Sequence, residues 1–197
     1  MKKFLFIILL IKTLTGVQAQ QYSYYKADTL VSNVLWKCDK HNGKVQLLQG
    51  GFVYAGDSLS GGRFIIDLQK IKDLDMSSKQ YTTAVMILEN TLKNEFFEVG
   101  TYPYAVFDLV DVKPVGTGRY ELTGDLTMHG NTVCISFIAG IKKNENDMVL
   151  ESERFIIDRT DWGVYRMSPK RPYSDDENGW TVPDKVEIKI NLKLQKE

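Results

Sequence analysis

The sequence predicts an all-β fold, an antiparallel β-barrel interrupted by one short helical insertion. Over most of the chain, apolar and polar residues alternate with the two-residue period of strands. Short turn signals rich in Gly and Asn separate the alternating segments. Only residues 82–97 have the four-residue recurrence of a helix. Strands at this spacing, joined by short turns, form an antiparallel sheet that closes or folds over itself.

The N-terminal segment precedes this pattern and predicts export. It begins with two lysines, continues as an apolar run over residues 4–11 and ends in a small-x-small cleavage site at Ala19. Lys12 interrupts the apolar run well short of the ~20 residues that a bilayer requires. We therefore expect residues 1–19 to be a signal peptide and residues 20–197 to form one exported domain, periplasmic or secreted, with no transmembrane segment.

Each strand is predicted from the apolar residues that alternation places on one of its faces. The inward-facing residues of the five clearest strands are, in chain order, Phe64, Ile66 and Leu68; Leu122, Leu126 and Met128; Val133, Ile135 and Phe137; Phe155 and Ile157; and Val186, Ile188, Ile190, Leu192 and Leu194. Turns are predicted at residues 42–43, 61–62, 116–118, 130–131 and 144–147. In the helical segment, Leu88, Leu92 and Phe96 recur every four residues. A barrel of about eight strands is either filled by its side chains or open to one small ligand, and alternation does not distinguish the two.

Charge and motif content exclude several functions. The chain carries 25 basic and 25 acidic residues, so no net field attracts nucleic acid. Each of the two histidines, His41 and His129, lies beside a Gly-containing turn and lacks the nearby ligands of a zinc site. We read both as turn-stabilising and expect no metal and no cofactor. A Gly-x-Ser-x-Gly nucleophile motif is absent from the sequence, and Cys134 is near His129 in sequence only.

One polar cluster invites two interpretations. The stretch "IIDRTDWGVYR" contains Asp158, Arg159, Asp161, Trp162 and Arg166. The carboxylates can be read as an acid pair, as in glycosidases. A network of Asp and Arg that holds the end of a strand is the favoured reading, so we expect no catalytic residues and treat the cluster as a candidate polar group at a cavity mouth.

The two cysteines of the mature chain have opposite strand phases. Cys38 shares the face of Val34 and Trp36, whereas Cys134 lies between the inward-facing Val133 and Ile135. A disulfide requires side chains that point towards each other. We therefore expect two free thiols, with Cys38 inside and Cys134 outside.

Four ordered motifs resemble those of the YceI-like family. They are "HNGKVQLLQGGFVYAGDSLSGGRFIIDLQKI", "LKNEFFEVGTYPYAVFDLVDV", "YELTGDLTMHGNTVCISF" and "FIIDRTDWGV". The resemblance extends from about Ser32 to Leu194. It implies a lipocalin-like, extended barrel that binds a polyisoprenoid, such as an isoprenoid quinone, in the bacterial periplasm, often as a homodimer. Two departures are notable: Thr91 replaces a His found in many relatives, and residues 165–186 are unusually rich in charge and proline.

The favoured function is a carrier, without catalysis, for a polyisoprenoid, quinone or fatty-acid-like lipid. The expected cavity-lining residues are Trp36, Phe52, Tyr54, Phe64, Ile66, Phe107, Leu126, Met128, Phe155 and Ile157. We expect Phe96 and Phe97 to be mostly core residues that close one end of the barrel. Two alternatives remain: a lipid-modifying enzyme that uses Asp158, Arg159 and Asp161, or an interaction protein with a solid core.

Overall fold

The computed structural model describes residues 21–76, 82–171 and 179–197. The strands are β1 (Tyr22–Ala27), β2 (Asn33–Cys38), β3 (His41–Ala55), β4 (Ser58–Asp73), β5 (Tyr104–Gly116), β6 (Arg119–Met128), β7 (Asn131–Lys143), β8 (Asp147–Ser152), β9 (Phe155–Asp158) and β10 (Lys185–Lys196). Helix α1 (Thr82–Thr91) continues into a π-helical turn (Leu92–Phe96), and a 3-10 turn (Arg159–Trp162) follows β9. The expected signal peptide lies outside the described residues, as does part of the segment rich in charge and proline.

The strands form a closed antiparallel ring. Each strand from β2 to β7 pairs with the next along the chain, and β10 closes the ring by pairing with both β8 and β2. β1 and β2 lie end to end between β3 and β10, and β9 pairs with the part of β10 that β8 leaves free. The predicted all-β barrel is therefore confirmed.

Two strands give the barrel its length. β3 has 15 residues and β4 has 16. At about 3.3 Å per residue, each runs for roughly 50 Å. One strand can therefore contribute side chains to two different levels of the interior.

Two predicted turns are wrong, and at Gly43 the reason is packing. Residues 42–43 and 61–62 lie inside β3 and β4, and the chain reverses a few residues earlier in each case. A Cβ atom at Gly43 would lie 2.0 Å from the Lys72 carbonyl oxygen and 2.4 Å from the Trp36 ring. This glycine makes room for a neighbouring aromatic ring instead of forming a turn. The three later turns are confirmed.

The helical insertion is confirmed and is anchored by a buried acid. Glu89 of α1 is only 8% exposed. Its Oε1 accepts a hydrogen bond from the Asp73 backbone N–H at 3.2 Å, and its Oε2 accepts one from Lys72 Nζ at 2.9 Å. These contacts attach α1 to the end of β4.

The interior has a packed half and a half that surrounds open space. In the packed half, aromatic rings meet edge to face: the centroids of Tyr25 and Tyr54 are 5.6 Å apart, and those of Phe52 and Phe64 are 4.8 Å apart. The other half contains a second cluster built around residues such as Trp36, Leu68, Met128 and Trp162.

Both cysteines are free. Cys38 is half-buried, with its Sγ 3.4 Å from the Pro183 carbonyl oxygen. Cys134 is exposed. Burial is the largest cause of a raised pKa at the Cys38 thiol. These positions agree with the opposite strand phases read from the sequence.

Candidate functional site

A cavity of about 400 Å³ lies inside one half of the barrel. Its wall is almost entirely apolar. The exposed members of the wall are Asp39 and Lys40 of the β2–β3 turn together with Trp180 and Thr181. The contact of Cys38 with the Pro183 carbonyl oxygen brings these two segments to one end of the cavity. We call this end the mouth. Thr91, at the end of α1, also lines the cavity.

Seven of the ten predicted cavity residues line this space. They are Trp36, Ile66, Phe107, Leu126, Met128, Phe155 and Ile157. They come from β2, β4, β5, β6 and β9. Some of them are cross-strand neighbours; for example, Phe107 lies opposite Leu126 in the ladder.

The other three predicted residues do not line the cavity. Phe52, Tyr54 and Phe64 lie in the packed half of the barrel and are at most 5% exposed. Their side chains do point inward, as alternation requires. For Phe52 and Tyr54 the reason is that alternation gives the face of a strand but not the level along it, and β3 extends through both halves. Phe64 lies opposite Phe107, a residue of the cavity wall, so level alone does not account for its absence from the wall.

Helix α1 and its π-helical turn form part of the wall near the mouth. Leu88, Leu92 and Phe96, the residues that recur every four positions, all line the cavity. Phe97 does so as well, so the two adjacent Phe residues face the open space and are not only core. Val186, Ile188 and Ile190 of β10 also line the cavity. The alternation in the sequence places them on the inner face, but they were not among the predicted cavity residues.

Arg159 is the only one of the five candidate polar residues that lines the cavity. It is 4% exposed and donates hydrogen bonds to the carbonyl oxygens of Val164 (2.6 Å), Val182 (2.9 Å) and Pro183 (3.2 Å). It also lies 3.2 Å from Asp184 Oδ1. Burial lowers the pKa of Arg159, and the Asp184 carboxylate opposes this shift. Its contacts join the 3-10 turn to the chain just before β10.

Asp158 begins the 3-10 turn as its N-terminal cap. Its Oδ1 accepts hydrogen bonds from the backbone N–H and hydroxyl of Thr160, and its Oδ2 accepts one from Lys170 Nζ at 2.7 Å. Partial burial alone would raise the pKa of Asp158, but the bonds from Lys170 and Thr160 outweigh it and lower the pKa to about 2. Asp161 is exposed and, like Asp158, lies outside the cavity wall.

Trp162 and Arg166 also have structural contacts. Trp162 is 1% exposed and donates from Nε1 to the Leu126 carbonyl oxygen at 2.7 Å. Arg166 pairs with Glu95, with its NH2 nitrogen 2.7 Å from Oε2. The cluster thus fastens the 3-10 turn to β6 and to the π-helical turn, but its ionic partners lie outside the cluster: Asp158 pairs with Lys170, Arg159 with Asp184 and Arg166 with Glu95.

The two histidines differ in their relation to the cavity. His129 has a left-handed φ of 50° in the β6–β7 turn, and its Nε2 lies 3.3 Å from Glu98 Oε1. His41 is the first residue of β3 and lines the cavity at the mouth. Sequence reasoning assigned both to turns and missed the position of His41 in the wall.

The fold and the cavity define an antiparallel β-barrel with an apolar internal chamber open at one end. The sequence model of the YceI-like domain family matches residues 25–194, and the chain belongs to that family. A search of curated proteins finds no significant match.

Several solved structures share the fold. BcnA of Burkholderia cenocepacia is 19% identical with a TM-score of 0.61, over 85% of this chain and 98% of that one. A polyisoprenoid binding domain from Saccharophagus degradans, implicated in plant cell wall breakdown, is 14% identical with a TM-score of 0.56, over 91% and 100%. The Campylobacter jejuni YceI protein is 14% identical with a TM-score of 0.53, over 82% and 84%. Among the described residues, no helix has the length and hydrophobicity needed to cross a membrane.

Proposed function

We propose that this protein binds a long-chain apolar ligand, a polyisoprenoid or isoprenoid quinone, inside the barrel and carries it without chemical change. The observation that carries this proposal is the apolar cavity of about 400 Å³. Its volume falls in the ~300–1,000 Å³ range of small-molecule sites. A solid-core interaction protein has no use for such a space.

The physical driving force is burial of the apolar tail. Each Å² of apolar surface removed from water contributes roughly 25 cal/mol. An apolar wall forms few hydrogen bonds with water, so a tail that replaces water there loses little. Arg159 and His41, which line the wall, offer polar atoms for a ligand head group.

The cavity wall favours binding over catalysis. The carboxylates of the enzyme alternative, Asp158 and Asp161, lie outside the wall, and both oxygens of Asp158 accept hydrogen bonds within the fold. The S. degradans neighbour is described as a polyisoprenoid binding domain, which supports the same class of ligand here.

We also propose that the protein is exported to the periplasm after loss of residues 1–19 and that it acts as a homodimer. The signal-peptide pattern supports export. The resemblance to a family whose members are often periplasmic homodimers supports both.

Native mass spectrometry of protein purified from its own host tests these proposals together. We expect the mass of residues 20–197, two chains per particle, and one lipid per chain that solvent extraction identifies as an isoprenoid. Leu126→Trp should release the lipid, because the indole fills the space that the tail occupies. Val110→Trp on the 63% exposed Val110 of β5 is the matched control and should retain it.

Wild-type protein that carries no lipid and takes up none when supplied with isoprenoid quinone would contradict the carrier proposal. Equal lipid in the Leu126→Trp variant and wild type would show that the lipid lies elsewhere. Chemical conversion of the bound lipid by the purified protein would favour the enzyme alternative.

A further inference from the structure

Two carboxylates and one imidazole meet beside the mouth of the cavity. His41 begins β3, Asp73 ends β4, and Asp75 follows two residues later. The His41 Nδ1 atom lies 3.2 Å from Asp75 Oδ2 and 3.9 Å from Asp73 Oδ2. The three donor atoms all lie within 4.8 Å of one another.

Backbone hydrogen bonds orient both carboxylates. Asp73 Oδ1 accepts from the N–H of Met76 at 2.8 Å, and Asp75 Oδ1 accepts from the N–H of Asn42 at 3.1 Å. Each acid therefore has one oxygen held by the main chain, while its Oδ2 is directed towards the imidazole. Metal ligands are commonly fixed by outer hydrogen bonds of this kind.

One of these oxygens lacks a partner. The Asp73 side chain has no exposed surface, and within the described part of the chain its Oδ2 accepts no hydrogen bond. A buried carboxylate oxygen without a partner is costly. The two carboxylates therefore need positive charge close to them, and either a shared proton or a bound cation would supply it.

We propose that His41, Asp73 and Asp75 form a binding site for a divalent transition-metal ion, with Zn²⁺ as the best fit. Zinc accepts imidazole nitrogen and carboxylate oxygen in tetrahedral geometry, where bonds of about 2.0–2.2 Å place the donors about 3.4 Å apart. The two separations from Nδ1 bracket that value. Mg²⁺ and Ca²⁺ prefer oxygen donors alone, so the imidazole discriminates against them.

The ion would connect the start of β3 to residues 74–76, which follow β4. That segment is already attached to β3 by the hydrogen bond from the Leu74 N–H to the Asn42 carbonyl oxygen, at 2.9 Å. Since His41 also lines the cavity, the ion would stiffen the rim at the mouth. This proposal is independent of the identity of the apolar ligand.

The test is calorimetric titration of tag-free, chelator-treated mature protein with ZnCl₂. We expect one Zn²⁺ per chain, and an apparent melting temperature that rises with zinc concentration. Asp75→Asn should weaken binding by roughly tenfold or more, because it removes one anionic ligand. The control is Asp39→Asn in the neighbouring turn, which removes the same charge from an exposed residue at the mouth and should leave binding unchanged.

Cysteine variants exclude a thiol as the source of binding. Cys38 faces His41 across the β2–β3 hairpin, so Cys38→Ser and Cys134→Ser are titrated in the same way, and both should bind zinc as the wild type does. Absence of binding in wild-type protein, equal affinity in the Asp75→Asn and Asp39→Asn variants, or loss of binding in Cys38→Ser would each overturn the proposal. Tighter binding of Mg²⁺ or Ca²⁺ than of Zn²⁺ would overturn the choice of metal.

Discussion

At the scale of single residues, several polar side chains that resemble catalytic groups in the sequence hold the fold together. Arg159 is the clearest case, since its guanidinium contacts three backbone carbonyl oxygens and one carboxylate. A buried Arg with this many acceptors fixes the approach of the chain to β10. Removal of the side chain would leave the Asp184 carboxylate, 7% exposed, without its buried cation.

The Asp158–Lys170 contact makes stability depend on pH. The pKa of Asp158 is lowered from 3.8 to about 2 in the folded protein, so its contribution is complete above pH 4–5 and disappears as the pH falls towards 2. We expect Asp158→Asn to cost about 1 kcal/mol at pH 7, a value reduced because Lys170 is half exposed and solvent screens the pair. Asn retains the helix-capping oxygen, so the substitution isolates the charge.

Urea denaturation between pH 7 and pH 3 measures this effect. The difference between wild type and Asp158→Asn should shrink as the pH is lowered. Asp161→Asn in the same turn provides the control, since an exposed side chain of this kind changes stability by less than about 0.5 kcal/mol. A difference that grows in acid would show that the carboxylate is not stabilised in the folded state.

At the scale of elements, β6 passes from the packed half of the barrel into the cavity. Leu122 is fully buried in the packed half, whereas Leu126, four residues on and on the same face, lines the cavity. In protein stripped of lipid, we expect Leu122→Trp to lower the free energy of unfolding by ~1–3 kcal/mol more than Leu126→Trp, because only the first overfills a packed region. Thermal and urea unfolding of both variants measure the difference; equal costs would indicate that the cavity collapses when empty.

Part of the fold and of the cavity wall can be predicted from the sequence alone. Alternation correctly places Leu126 and Phe155 on the inside, and the four-residue recurrence correctly identifies the helix. Alternation wrongly assigns Phe52, Tyr54 and Phe64 to the cavity wall. For Phe52 and Tyr54 the reason is their level in the barrel, which depends on the register of β3 with β4. The His41–Asp73 approach arises from that same register, with Gly43 opposite Asp73, and nothing local in the sequence indicates it.

At the scale of the whole molecule, the proposed export depends on a segment that precedes the barrel. Signal peptidase requires small residues before the cleaved bond. We expect Ala19→Trp to leave the precursor uncleaved, whereas wild type is recovered as residues 20–197. Intact mass measurement of protein from the periplasmic fraction of the host distinguishes the two forms. Full-length wild-type protein in the cytoplasmic fraction would contradict export.

The closure of the ring by β10 has a consequence for the order of folding. β10 is the last strand of the chain and pairs with β1, β2, β8 and β9, with Tyr25 opposite Lys196. Such distant pairing is slow, since the entropy of a long loop is lost before the contacts form. The barrel cannot close until β10 has been synthesised. A nascent chain of this topology therefore stays open until β10 is made, the condition in which a polypeptide can be threaded across a membrane before it folds.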